Sequence, residues 1–469
     1  MPGASITTPV TIESALFRIL GAGAWPTCWP RTAVSAVIDR GMHISHDRSI
    51  RRSAALALAV AAMSLTTLPA TFGAPSAGLR QLLASGQRAP DGGTFDDFDV
   101  AGQAIPAASN RTGQVAFFAK LIRGAAQEGL FIAHGNRIAK IATAGDRIPG
   151  GERIADFTER PGLALNEAGS VAFAATLTGG KATSGMFVAI GGKLAPVALS
   201  GAAAPEIAGG TLTSFERPVI NDEGSIAFLA SVRRSRDLAD AIFLLRRGVL
   251  RKVAGAGDSA PGGGVFSGFG TPAVNNRRAI AFSAVVDQGP VLGGIYVIAE
   301  GQPRLALAAG SAAPNGGVFA KISEQVAIDD SGTIVFTAVL RQGGPSAAVF
   351  RLNREAAISE AAVGDPAPGG GRFAGFLSPP TLSPGGTICF VASIDGGSSP
   401  VAVYLAGRSG LQRLAGIGDT LPDGSRLTGF PRYPTVAIGP DDAVTFAATA
   451  ERDGTTREAL FYAAPSGSR

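Results

Sequence analysis

The chain has 469 residues, with 64 Gly, 30 Pro, 2 Cys, 16% charged residues and a net charge of +5. Its 46% hydrophobic content excludes a disordered chain, and two cysteines exclude a disulfide scaffold or a multi-cysteine zinc site. Turn formers spread evenly through an apolar chain predict many short strands.

Residues 48–78 read as a secretory signal. Arg48, Arg51 and Arg52 give a positive start, and residues 54–65 form a mostly apolar run. Gly73, Ala74 and Ala77 offer small residues for cleavage. The run is shorter than the roughly 20 residues that span a bilayer. Residues 1–41 precede Met42 and read as a non-structural extension ahead of the true start. The predicted layout is therefore an extension at 1–41, a signal peptide at 42–78 and one folded domain at 79–465. The Arg51-Arg52 pair raises the twin-arginine route. Export to the periplasm, the exterior or the cell surface follows from the signal. Without residues 1–78 the chain has 35 basic and 33 acidic residues, and the case for a nucleic-acid or anionic-membrane partner falls away. The mature chain is expected not to insert in a membrane and to be a monomer.

A Gly-x-x-x-Pro segment then recurs seven times, first at Gly86–Pro90 and Gly145–Pro149 and last at Gly418–Pro422, in steps of 53 to 59 residues. An apolar strand ending in Phe recurs in the same register, at Phe117, Phe173, Phe228, Phe282, Phe336, Phe390 and Phe446. A third mark pairs an apolar residue with an aromatic or Ile three positions on, as in Leu212/Phe215 and Phe266/Phe269. These aromatic marks are expected to plug the gaps between repeats.

Each unit reads as four strands. In the third, 218–221 is a short strand, Asn221 to Gly224 a tight turn, and 225–232, 241–245 and 249–254 the remaining strands. Four strands per unit of about 55 residues is the pattern of a β-propeller blade. The last unit ends after a third strand at 459–464, and 79–85 reads as a fourth strand with no blade before it. The predicted fold is an all-β, seven-bladed propeller with four-stranded blades, closed by the N-terminal strand completing the last blade. Closure removes an open sheet edge.

Asn110 to Phe117, Asn166 to Phe173 and Asn221 to Phe228 share the pattern Asn-x-x-Gly-x-x-Ala-Phe. In this the chain resembles the tandem Asn-x-x-Gly-x-x-Ala-Phe repeat family of exported bacterial proteins. Pro380 to Gly386 followed by Ile388 to Phe390, and Ile295-Tyr296, are similar to the WD-like repeats of the Tol-system periplasmic propeller. The resemblance covers 79–465. It implies an exported propeller and carries no enzymatic role.

In such a fold the first strand of each blade lines the channel. The Gly-Asp-x-x-Pro-Gly-Gly crossovers are expected to ring one mouth, the default binding face, with the Asn-x-x-Gly turns opposite. Polar residues near the entry of the inner strand are the ligand-binding candidates: Asp99, Glu159, Arg160, Glu216, Arg217, Glu324, Arg432 and Tyr433. Asp146, Asp258, Asp365 and Asp419 recur at the second crossover position. They read either as ligands for Ca²⁺ or a cationic group, or as Asx-turns fixing each loop, and repetition in most blades favours the turn. With His134 as the single mature histidine and Cys389 as a small core residue, no nucleophilic triad or zinc cluster stands out. No cofactor is expected. The function this supports is an exported, non-catalytic binding or scaffold propeller for a protein or a polar ligand such as a glycan. One alternative is a carbohydrate-active or other hydrolase using channel carboxylates, with Glu159 and Glu216 as the pair to test. The other is an interaction protein of an envelope complex of the Tol kind.

Overall fold

The computed structural model describes residues 78–464 apart from 91, 101–102, 105–107, 158–161, 300 and 355. The predicted extension and nearly all of the signal segment lie outside the described residues. Strand pairing sorts the chain into seven antiparallel sheets, the blades of an all-β propeller, plus one two-stranded hairpin. The third blade is the most regular. Its strands Gly210–Ile220, Ile226–Arg234, Asp237–Arg246 and Val249–Gly255 pair in chain order from the inside outward.

The inner strand is longer than the turn pattern suggested. It begins at Gly210, so Leu212 and Phe215 lie in the strand and not in a crossover. In the other blades this strand is split. Arg153–Asp156 and Leu163–Leu165 are separate strands that both pair with Val171–Thr178. The first blade carries in this gap the small hairpin Asp99–Val100 with Gln103–Ala104.

The second strands are near-continuous apolar runs because neighbouring blades cover both of their faces. Ile226 to Ala230 are all buried. One residue type sets the spacing between blades. The marked Phe of each second strand lies opposite an aromatic on the third strand: Phe117/Phe131, Phe173/Phe187, Phe228/Phe243, Phe282/Tyr296, Phe336/Phe350, Phe390/Tyr404 and Phe446/Phe461, with ring centroids 5.4–6.0 Å apart. Each pair joins a cluster fed by the preceding blade. Phe173 and Phe187 pack with Ala116 and Leu130, and Phe446 and Phe461 with Cys389 and Val403. Cys389 is fully buried, and burial raises its thiol far above the ordinary value, so it serves as a small apolar filler.

The N-terminal strand Leu79–Ala84 pairs antiparallel with Thr455–Ala463, from Leu79 opposite Ala463 to Ala84 opposite Ala459. It is the fourth strand of the seventh blade. Leu83 is fully buried in the cluster that also holds Leu460 of the seventh blade and Phe95, Phe117 and Phe131 of the first. The ring closes as the sequence predicts.

Polar pins cross the blade interfaces. Glu128, at the start of a third strand, is 8% exposed and accepts the Phe157 N–H of the next blade at 2.8 Å. Glu458 occupies the same register in the seventh blade and accepts the Phe98 N–H of the first at 3.2 Å. Burial pushes the Glu128 carboxyl above its ordinary value, the Phe157 N–H pulls it down, and Asp156 adds repulsion. The folded state therefore holds this proton more tightly than the unfolded chain. The charged carboxylate is a liability above the folded pKa, relieved as pH falls toward the unfolded value of about 4.3. Glu128→Gln keeps an acceptor for Phe157 and removes the charge. Denaturant titrations should show it gaining stability relative to the parent at pH 7 and losing that advantage as the pH falls toward 4.5. Glu128→Ala should lose about 1–3 kcal/mol through the unpaired N–H. A Glu128→Gln difference that does not vary with pH would refute the role given to burial.

Candidate functional site

The Asn-x-x-Gly turns show why the repeat uses an amide. In the third blade the Asn221 Oδ1 accepts the Ser225 N–H at 2.9 Å within its own turn. Its Nδ2 donates to the Asn275 carbonyl of the next blade at 3.0 Å. Asn110, Asn166 and Asn275 repeat both bonds, the second to Asn166, Asn221 and Asp329 at 3.1, 3.1 and 2.7 Å. One side chain thus satisfies a turn and ties it to its neighbour. The turn glycines take positive φ, 77° at Gly169 and Gly224. Where glycine is replaced, Arg278 (φ 70°) pairs with Glu223 of the preceding blade, and Asp442 (φ 60°) accepts the Ser383 and Thr387 hydroxyls of the preceding blade.

Asp329 holds the Asn position in the fifth blade. It accepts the Thr333 N–H at 2.9 Å but has no proton to donate onward. A second series runs beside the first. The Glu167 carboxylate accepts the Arg111 N–H, Asp222 the Glu167 N–H, Asn276 the Asp222 N–H and Asp330 the Asn276 N–H, at 2.7–3.0 Å.

These two series frame a cavity of about 230 Å³ on the ring axis, lined by residues of all seven blades. Its collar is aliphatic, with Leu165, Ile220, Val274, Ile328, Leu382 and Ile438 from six blades, each half-buried, and Ser109 from the first. Its rim is polar, with Glu167, Asp222, Asn276 and Asp330. Burial raises the Glu167 carboxyl, and the nearby carboxylates Asp222 and Asp441 raise it further against the pull of Arg111. The arrangement suits a group with hydrogen-bond donors above a narrow apolar end.

The residues singled out from sequence fall elsewhere. Glu159 and Arg160 lie outside the described residues, and Asp99 is placed by its backbone alone, in the small hairpin. Glu216, Arg217, Glu324, Arg432 and Tyr433 sit where the inner strand breaks or bulges, midway along it and away from its entry. Arg217 holds φ 46° and reaches the Thr271 hydroxyl at 2.9 Å and Glu324 at 3.5 Å, spanning three blades. Glu216 is 5% exposed and lines a separate cavity between blades, and Arg432 lies over the Tyr433 ring, 5.4 Å from its centre.

Asp146, Asp258, Asp365 and Asp419 each follow the outermost strand and accept the N–H three residues back, at 2.8–2.9 Å. Lys140, Lys252 and Arg413 pair with three of them. An Asx-turn accepts the N–H two residues on; here the bond runs three residues back and ties each crossover to the end of the outer strand. Among the described residues no group of three or more His, Cys, Asp or Glu side chains is arranged to hold a metal ion.

The rim residues were missed by sequence reasoning. They directly follow the Asn position, and a polar residue there reads as ordinary turn surface. The signal was their run of polar types, Arg111, Glu167, Asp222, Asn276 and Asp330, at one register in five consecutive blades. The amide argument has a direct test. Asn221→Asp removes the donor to the fourth blade and buries a charge, and should cost about 1–3 kcal/mol in denaturant unfolding. Asp329→Asn supplies the missing donor toward the sixth blade and should gain about 0.5–1.5 kcal/mol. A neutral Asn221→Asp would show that the inter-blade bond does not hold the ring.

No curated protein matches this chain. Among solved structures it is similar to a puromycin-hydrolysing peptidase from Mycobacterium tuberculosis, at 11% identity and a TM-score of 0.47, covering 83% of this chain and 56% of that one. It is also similar to the Dos1 propeller, at 11% identity and 0.40, covering 78% and 93%, and to a gluconolactonase from Xanthomonas campestris, at 12% and 0.32, covering 67% and 89%. The chain thus spans little more than half of the peptidase. At these scores none of the three bears on what the chain binds or does. Residues 54–353 and 328–468 match the model of a family of unknown function, DUF7453, and the chain belongs to that family.

Proposed function

We propose that this protein is an exported, non-catalytic binding or scaffold module that holds its ligand or partner on the ring axis. The observation that carries this reading is the axial cavity to which every blade contributes, with an aliphatic collar below an amide and carboxylate rim. A ligand there touches seven repeats at once, so its binding energy also stabilises the ring. The face is the one bearing the Asn-x-x-Gly turns, and not the crossover face that the sequence reading favoured. The signal-like segment at 42–78 supports export. The repeat resemblance to exported bacterial propellers supports the same compartment.

The rim favours a group rich in donors, since Glu167, Asp222 and Asp330 offer carboxylate oxygens. Thermal unfolding of the purified chain against panels of basic peptides, diamines and oligosaccharides should find a ligand that raises the midpoint. The same ligand should not shift Asp222→Ala/Asp330→Ala, whose own midpoint serves as the folding control. An equal shift in this variant places binding elsewhere. Turnover of any panel member, followed by chromatography, overturns the non-catalytic reading.

A further inference from the structure

The rim of the axial cavity is one-sided. The position after the turn asparagine is Glu167, Asp222, Asn276 and Asp330 in the second to fifth blades, and Pro384 and Pro440 in the sixth and seventh. Proline has no N–H to give and no acceptor side chain. The bonds from blade to blade therefore start at the Arg111 N–H and stop at Asp330. Asn276 holds the middle of this arc. Its Nδ2 donates to Asp222 at 2.8 Å and to Asp330 at 3.2 Å, so one amide sets two carboxylates on either side of it. Glu167, Asp222 and Asp330 form no ion pair among the described residues. Burial and the nearby Asp222 and Asp441 hold the Glu167 carboxyl above its ordinary value, a charge conflict that a bound cation relieves. The rim is also the outer layer of the cavity. Asp222 is exposed, whereas Ile220, two residues back along the inner strand, is half-buried. At the collar level the first blade contributes Ser109, a lining residue whose Oγ is buried without a hydrogen-bond partner.

We propose that the axial cavity binds a primary ammonium group carried on an apolar stem, with the ammonium at the acidic arc and the stem innermost. This rests on the reading of the axis as the binding site and adds the class of ligand. An ammonium has three N–H donors, and Glu167, Asp222 and Asp330 keep lone pairs free after the backbone and amide bonds they already accept. The Ser109 hydroxyl offers a further acceptor just inside the arc. The collar residues Ile220, Val274 and Ile328 of the same blades take methyl and methylene groups out of water, and their aliphatic atoms offer a charge no partner. The order of the two layers selects among amines. A free chain terminus with an apolar first residue, or a short alkylamine, puts its carbon end in the collar while its ammonium stops at the rim. A lysine side chain reaching in from a protein surface brings its ammonium first, past the carboxylates and into the aliphatic ring, where the charge loses its water. A diamine has the same fault at its inner end. A neutral sugar has neither the charge that the arc answers nor the apolar end that the collar takes.

Titration calorimetry on the full chain tests this, with n-pentylammonium and the amide of Leu-Gly-Gly as probes. The comparisons are 1,5-pentanediammonium, the N-acetylated form of the same peptide amide, and Nα-acetyl-lysine N-methylamide. At least one probe should bind, and all three comparisons should bind roughly tenfold or more weakly. Binding of the peptide assigns the site to chain termini, and binding of n-pentylammonium alone assigns it to free amines. Asp222→Asn/Asp330→Asn at the arc and Ile220→Thr/Ile328→Thr at the collar should each weaken the probe, with thermal unfolding as the check that both variants fold. Equal binding of the acetylated peptide, or binding of the lysine derivative or the diammonium as tightly as the probes, overturns the proposal. So does an affinity unchanged in the folded Asn variant, which also moves binding off the axis. Failure of both probes overturns it too, and the axial reading then stands only if another compound raises the unfolding midpoint of the parent and not of Asp222→Ala/Asp330→Ala.

Discussion

The width of a blade interface is the constraint on which everything else here depends. Seven sheets close into a ring only if each meets the next at nearly the same distance and angle. The aromatic pair on the second and third strands supplies one side of each interface, and smaller non-aromatic residues of the preceding blade supply the other. Ala116 against Phe173 and Cys389 against Phe446 are the same contact made with different small residues. A larger residue at one of these positions would open one interface and strain the other six, because a closed ring has nowhere to put the difference.

The same demand explains the turns at the axis. At the narrow end of each wedge there is little side-chain volume to pack, so adjacent blades are joined by hydrogen bonds. Asparagine suits this place because one amide carries an acceptor for its own turn and a donor for the next. The proposed binding surface is therefore carried by the same turns that hold the ring together. Side chains one position away on either side, Ile220 before Asn221 and Asp222 after it, form the collar and the rim. The turn that ties the blades and the side chains that line the cavity thus share one stretch of backbone.

This division accounts for what the sequence made legible. Blade number, strand count and closure depend on features repeated in every unit, such as Phe228 and Gly224, and repetition makes them stand out. The recurrence of Asp146 and Asp258 was legible for the same reason, but not the bond that each sends back to the outer strand. Sites depend on departures from the repeat, and a departure means something only once the register is known. Arg217 looks like any charged residue beside Glu216 until the fold sets it against Thr271 and Glu324 of the next two blades. The rim acids were hidden differently, since turns tolerate polar residues for solvation alone. The break in the inner strand is marked in the sequence only by Pro161-Gly162, a turn signal that does not by itself separate a crossover from an interrupted strand.

Closure by the N-terminal strand also fixes an order of events. Leu79–Ala84 is made before any blade, yet its partner Thr455–Ala463 is the last strand of the fold to be made. Until that segment emerges, Leu83 has no pocket, and both the first and the seventh blade present bare flanks. No partial chain can hold the ring shut, however many complete blades it contains. Closure of the ring therefore waits on the pairing between the two ends of the domain, and every blade between them is in place in the chain before it can happen.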